Sequence, residues 1–102
     1  MNRLILSLLV LFALAGLARA DYTGTVSEVK LFDSGAVALD LDGTWPNQKM
    51  LIYIPVTDVS KVTPLPKVGD VVTAVGPNTT YKGKPEIVIH DVKQLIINDS
   101  AK

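Results

Sequence analysis

Residues 81–89 read Tyr81-Lys82-Gly83-Lys84-Pro85-Glu86-Ile87-Val88-Ile89. A glycine between two lysines frees the backbone for a tight turn, and the lysines keep that turn soluble. After it, Pro85 opens a β-prone run that extends from Glu86 to about Ile97, with a kink expected near Asp91. Working back along the chain, the same grammar recurs. Gly69-Asp70 opens a strand over Val71–Val75, and Gly76-Pro77-Asn78 closes it. Lys49–Pro55 is a third strand. Ala36–Leu41 alternates small or acidic residues with larger apolar ones. Tyr22–Phe32 is a first strand, with Gly24 where a bend is tolerated and Asp33-Ser34-Gly35 as the hairpin turn that follows it. Between strands three and four, Thr57 is expected to cap a helix of one or two turns over Asp58–Val62, stopped by Pro64 and Pro66.

Outside this region the chain has a different character. Arg3, an apolar stretch from Leu4 to Leu17, and Ala18-Arg19-Ala20 have the form of a signal peptide, with Asp21 as the first mature residue. The expected organisation is a signal peptide over 1–20 and one domain over 21–102, periplasmic or secreted, with no stable membrane insertion once the signal is removed. Arg3 and Arg19 leave with the signal, so of ten basic residues eight lysines remain against ten acids, a net charge of −2. The broad positive field typical of a nucleic-acid-binding domain is therefore missing, and affinity for phosphate has to come from a local lysine patch. There is no cysteine, which excludes disulfides and zinc–thiolate chemistry and leaves stability to a closed apolar core.

Five strands with a short helix between the third and fourth make an all-β, five-stranded Greek-key barrel the expected fold. Gly24-x-Val26, Gly35 before Ala36–Leu41, Leu51–Pro55, Gly69-Asp70-x-Val72, Gly76 and the 81–89 stretch together resemble OB-fold nucleic-acid-binding domains. The closing Glu86–Leu95 run is also similar to small stand-alone OB-fold proteins exported by bacteria. The resemblance implies a non-catalytic module that binds single-stranded DNA or RNA on the outer face of strands two and three. An oligosaccharide, a small molecule or a protein partner is the alternative ligand.

On that face Val37, Leu39 and Leu41 of strand two, and Met50, Ile52 and Ile54 of strand three, are expected to fill the core. Ala36, Ala38, Asp40, Leu51 and Tyr53 then point outward. Asp40 counts against phosphate. Tyr53 is the first candidate for stacking a base, balanced against a tyrosine simply packed at the barrel rim. Tyr81, Lys82, Lys84 and Lys49 would form a cationic rim beside it, although a solvated turn is the plainer reading of two hairpin lysines. Trp45, in the loop Asp42–Asn47, is either a ligand platform or a plug for one end of the barrel. The plug is favoured because a barrel without disulfides needs apolar area, and Phe32 is expected to cover the same core.

Catalysis has little support. His90 is the only histidine and stands beside Asp91; a metal phosphohydrolase site would need further histidines. Asp40-x-Asp42-Gly43 resembles a fragment of a calcium loop without its remaining ligands. No catalytic residue, metal or cofactor is expected.

Overall fold

A computed structural model describes residues 19–98. The expected signal peptide lies outside the described residues except for Arg19 and Ala20, which begin the first strand. The fold is predominantly β: one seven-stranded sheet in the order β5-β6-β3-β2-β1-β4-β7. The strands are β1 (Arg19–Leu31), β2 (Val37–Leu41), β3 (Met50–Ile54), β4 (Val71–Pro77), β5 (Thr79–Tyr81), β6 (Lys84–Val88) and β7 (Leu95–Asn98).

β1 is long enough to serve two neighbours. Residues 19–25 pair antiparallel with β4, and residues 26–31 pair with β2. The change of partner coincides with a bulge between Val26 and Glu28, where the extra residue bends a strand. Gly24 sits just before it. A Cβ there would come 2.5 Å from the Asp42 carboxylate and 2.7 Å from the Tyr22 ring, so only glycine lets these groups meet. The β1–β2 turn closes as expected, with Gly35 at φ +100 donating its N–H to the Phe32 carbonyl.

Alternation places Val37, Leu39, Leu41, Met50, Ile52 and Ile54 in a common core with Val26, Val72, Ala74, Ile87, Ile89 and Leu95. The inward set expected for strands two and three is the one observed. Every side chain of this core is aliphatic or Met, and complete burial of a Leu or Ile is worth about 1.5–3 kcal/mol.

Two departures shape the rest. The segment expected as one strand from Glu86 to about Ile97 is broken in two. β6 runs parallel to β3, while β7 runs antiparallel to β4. Between them Asp91 caps a single 3₁₀ turn, Val92–Gln94: its carboxylate accepts from the Lys93 N–H, and the Gln94 side chain accepts from the N–H groups of His90 and Asp91. That capping box terminates the pairing with β3 and redirects the chain to β4. The Gln94 amide then donates to the carbonyls of Val75 in β4 and Val88 in β6, each at 3.0 Å, and so ties the two arms of the sheet together. Gly76 leaves room for it, since a Cβ there would approach that amide to 3.0 Å.

The second departure is β5, a strand too short to register as a pattern. It pairs with β6 across a two-residue turn, Lys82-Gly83, with φ of +51 and +80. The tip is therefore Lys82-Gly83, and Lys84 is already in β6. The short helix between the third and fourth strands is present as a 3₁₀ helix over Val56–Lys61. Thr57 does not cap it: Pro55 holds the N-cap position and no side-chain hydrogen bond is made there. A residue inside the first turn is wrongly placed to reach the orphan N–H groups.

Candidate functional site

The outward face of β2 and β3 is the floor of a cleft of about 490 Å³. Register defines its rows. Across the sheet, Glu28 stands opposite Asp40, Asp40 opposite Leu51, and Leu51 opposite Glu86. In the next row Lys30 faces Ala38, and Ala38 faces Tyr53.

Aromatic side chains from the β1–β2 hairpin, the β2–β3 loop and the end of β5 stand over this floor. Phe32, in the β1–β2 hairpin, tilts against Tyr53 with ring centroids 6.4 Å apart. Trp45, in the β2–β3 loop, tilts against Tyr81, beside the β5–β6 turn, at 5.8 Å. Both spacings suit edge-to-face contact. The lysine ammonium groups lie over rings as well: Lys30 is 5.6 Å from the Trp45 centroid, and Lys82 is 5.5 Å from that of Tyr81.

The floor beneath them is dry. Ala38 is 3 % exposed, Leu51 5 % and Asp40 1 %. These residues point outward, as the alternation requires, yet they do not meet water, because rings and lysine stems roof them. Asp40 is the notable case. Neither of its carboxylate oxygens has a hydrogen-bond partner at bonding geometry, although the Lys30 charge and the Trp45 N–H favour its ionised form. Burial pushes its pKa up to about 6, and Glu28 opposite adds to the rise. Glu28 moves the other way: hydrogen bonding with Asp40 holds it below the usual carboxylate range. Two acids directly opposite on a sheet repel unless they share a proton. The raised pKa makes Asp40 the member that takes up a proton first as pH falls, and Glu28 also accepts from the Trp45 N–H at 3.4 Å.

Of the residues singled out from the sequence, Tyr53, Trp45, Tyr81 and Lys82 line this cleft; Lys49 and Lys84 do not. Lys49 is exposed in the β2–β3 loop, where its charge helps hold the Asp42 pKa down. Two placements are corrected. Trp45 plugs neither end of the core, and Phe32 does not cover it: neither belongs to the core cluster, and Phe32 is 44 % exposed. The aliphatic core is filled without them, so both rings are free for the opposite face. Lys30, Glu28 and Glu86 escaped the sequence reading. The signal for Lys30 and Glu28 was their shared parity on β1, a strand whose outer face extends the floor.

The other polar motifs do structural work. Asp42 accepts from the Tyr22 hydroxyl and from the Thr25 N–H, which holds its pKa below the ordinary value. Burial, reinforced by that bond, pushes the Tyr22 hydroxyl up to about 12. Asp40 and Asp42 thus belong to different surroundings and share no ligand. His90 pairs with Asp58, Nδ1 to Oδ2 at 3.0 Å, and not with Asp91, which caps the 3₁₀ turn. Among the described residues no group of three His, Cys, Asp or Glu converges to hold a metal ion. A second, more open depression lies beside His90 and Gln94, but no Phe, Tyr or Trp lines it and its Gln94 amide is already bonded to the backbone.

No protein-family model matches this chain, and no curated protein sequence matches it.

Proposed function

We propose that this domain is an exported OB-fold module without catalytic activity, and that its cleft binds a short stretch of single-stranded nucleic acid. One observation carries the reading. Of the five Phe, Tyr and Trp side chains among the described residues, four line a single cleft outside an aliphatic core. Aromatic rings bring the largest apolar area a small core can use, and this fold spends them on a surface groove. Every nucleobase offers a π-face to such a groove, worth roughly 1–3 kcal/mol per stacked base.

Topology supports the OB reading. β1, β2 and β3 form a meander, β4 returns to β1, and the last segment pairs parallel with β3 through β6 and antiparallel with β4 through β7. If β6 and β7 count as one interrupted strand, and β5 as an elaboration of the β4–β6 connection, five strands remain in OB order. The cleft then lies where OB domains take oligonucleotides: on strands two and three, between the first hairpin loop and the connection before the last strand.

The charge pattern suits bases inward and phosphates outward. Asp40 and Glu86 lie in the floor, where a phosphate would be repelled, while Lys30 and Lys82 sit against the roofing rings. The same acids favour a second reading, an oligosaccharide that stacks on the rings and donates hydroxyls to Asp40. Salt separates the two. Anisotropy of a labelled oligonucleotide, titrated with residues 21–102, should show saturable binding that weakens as salt rises. Binding of an oligosaccharide that ignores salt, with no oligonucleotide binding, would replace the first reading by the second.

A further inference from the structure

The floor of the cleft contains a feature that stacking does not use. Asp40 is 1 % exposed, lines the cleft, and has two oxygens without a hydrogen-bond partner. A buried carboxylate without hydrogen-bond partners is costly, and the Lys30 charge and Trp45 N–H nearby offset only part of the effect of its burial. Glu28, directly opposite, and Glu86, at the far side of the same row, are themselves acids; Leu51 and Ala38 are apolar. What the site lacks is a pair of hydrogen-bond donors arriving from the cleft.

We propose that Asp40 is the base-reading group of this cleft and that its preferred ligand is guanine, the ring held by the aromatic walls and the N1–H and N2–H₂ edge turned onto the carboxylate. The inference deepens the nucleic-acid reading above and rests on it. The choice among bases follows from donor and acceptor patterns. A carboxylate only accepts, and its two oxygens match two adjacent donors. Guanine presents such a pair on its Watson–Crick edge. Thymine and uracil place one N3–H between two carbonyls, which would face the Asp40 and Glu28 oxygens unfavourably. Adenine and cytosine set one amino group beside a ring nitrogen acceptor. Glu28, opposite Asp40 across the β1–β2 ladder on the side away from Leu51, is an acid as well and leaves the Asp40 oxygens to donors from the cleft, whereas a Gln amide at this place would supply one.

The test compares labelled oligo-dT strands that are unmodified, carry a central dG, or carry deoxyinosine at that place, at pH 8 and fixed low salt. Inosine keeps N1–H and lacks the 2-amino group, so it removes one donor without changing the ring. Wild-type protein should bind the dG strand about tenfold more tightly than oligo-dT, with inosine in between. Asp40→Asn should abolish the preference, so that the three strands bind it with equal affinity, and Glu28→Gln should weaken the preference. Should Asp40→Asn fail to fold, the inosine comparison on wild-type protein decides alone. Equal affinities for the three strands would overturn the guanine proposal and leave the nucleic-acid site standing. No binding of any strand would overturn both.

Discussion

The two faces of β2 and β3 are both hidden from water, but by different means. On the inner face Leu39, Leu41, Ile52 and Ile54 are each 0 % exposed, packed among aliphatic residues contributed by β1, β4, β6 and β7. On the outer face Ala38, Asp40 and Leu51 are covered by a few rings and lysines from loops and strand ends, several of them half exposed themselves. The inner face is closed redundantly, so opening it means unfolding. The outer face is closed by side chains that rotate about single bonds, so it can exchange its cover for a ligand while the sheet remains intact.

Substitutions on either side of the sheet test that difference. The largest effect should come from the inner face: Ile52→Ala leaves a cavity among fully buried residues and should cost about 2–5 kcal/mol in a urea melt. Any oligonucleotide binding by the remaining folded fraction should be unaltered. Tyr53→Ala should do the reverse. It removes a ring from the cleft, weakens oligonucleotide binding by roughly five- to a hundredfold, and costs less than about 1 kcal/mol in the same melt. If Tyr53→Ala were as destabilising as Ile52→Ala, the two faces would be one core and the contrast would fail.

The buried acid gives a pH signature. Asp40 binds a proton more tightly folded than unfolded, because its pKa is raised to about 6. Between roughly pH 4 and 6 the unfolded chain has lost that proton and the folded chain has not, so stability falls as pH rises through this window and then levels off. Asp42 and Asp58 act oppositely: their lowered pKa values add stability above the ordinary carboxylate range, and it is lost in more acidic solution. Asp40→Asn, which mimics the protonated acid, should therefore raise Tm at pH 8 by roughly several degrees and leave it nearly unchanged at pH 4. A Tm that falls equally at both pH values would mean that the carboxyl is needed for packing. The smallest effect is expected at the rim. Lys82→Ala should flatten the salt dependence of oligonucleotide binding by about 0.7 in slope, one phosphate contact, with little change in Tm.

How far the sequence reveals these faces follows from the same contrast. The inner set could be read from alternation, because apolar residues at every second position have only one way to hide. The outer set was half visible. Tyr53, Trp45, Tyr81 and Lys82 stand out by residue type, but alternation says only that Asp40 points outward and not whether that outer face is covered. Asp40 shares its cleft with Trp45 and Phe32, and a loop ring carries no periodicity that assigns it to one face. The break in the last strand left a trace in Asp91-x-x-Gln94, the form of a capping box, within a run whose β-propensity masked it. β5 left none, since three residues cannot establish an alternation.

The most direct test of the central claim is the affinity of residues 21–102 for a labelled single-stranded oligonucleotide, measured for wild type and Tyr53→Ala. Both would be followed by anisotropy and by Trp45 fluorescence at about 50 mM and 200 mM salt. The cleft described here predicts saturable binding by wild type that weakens with salt, a quenched Trp45, and a large loss in Tyr53→Ala with an unchanged unfolding midpoint. Absence of binding at the lower salt, or binding that Tyr53→Ala leaves intact, would contradict it.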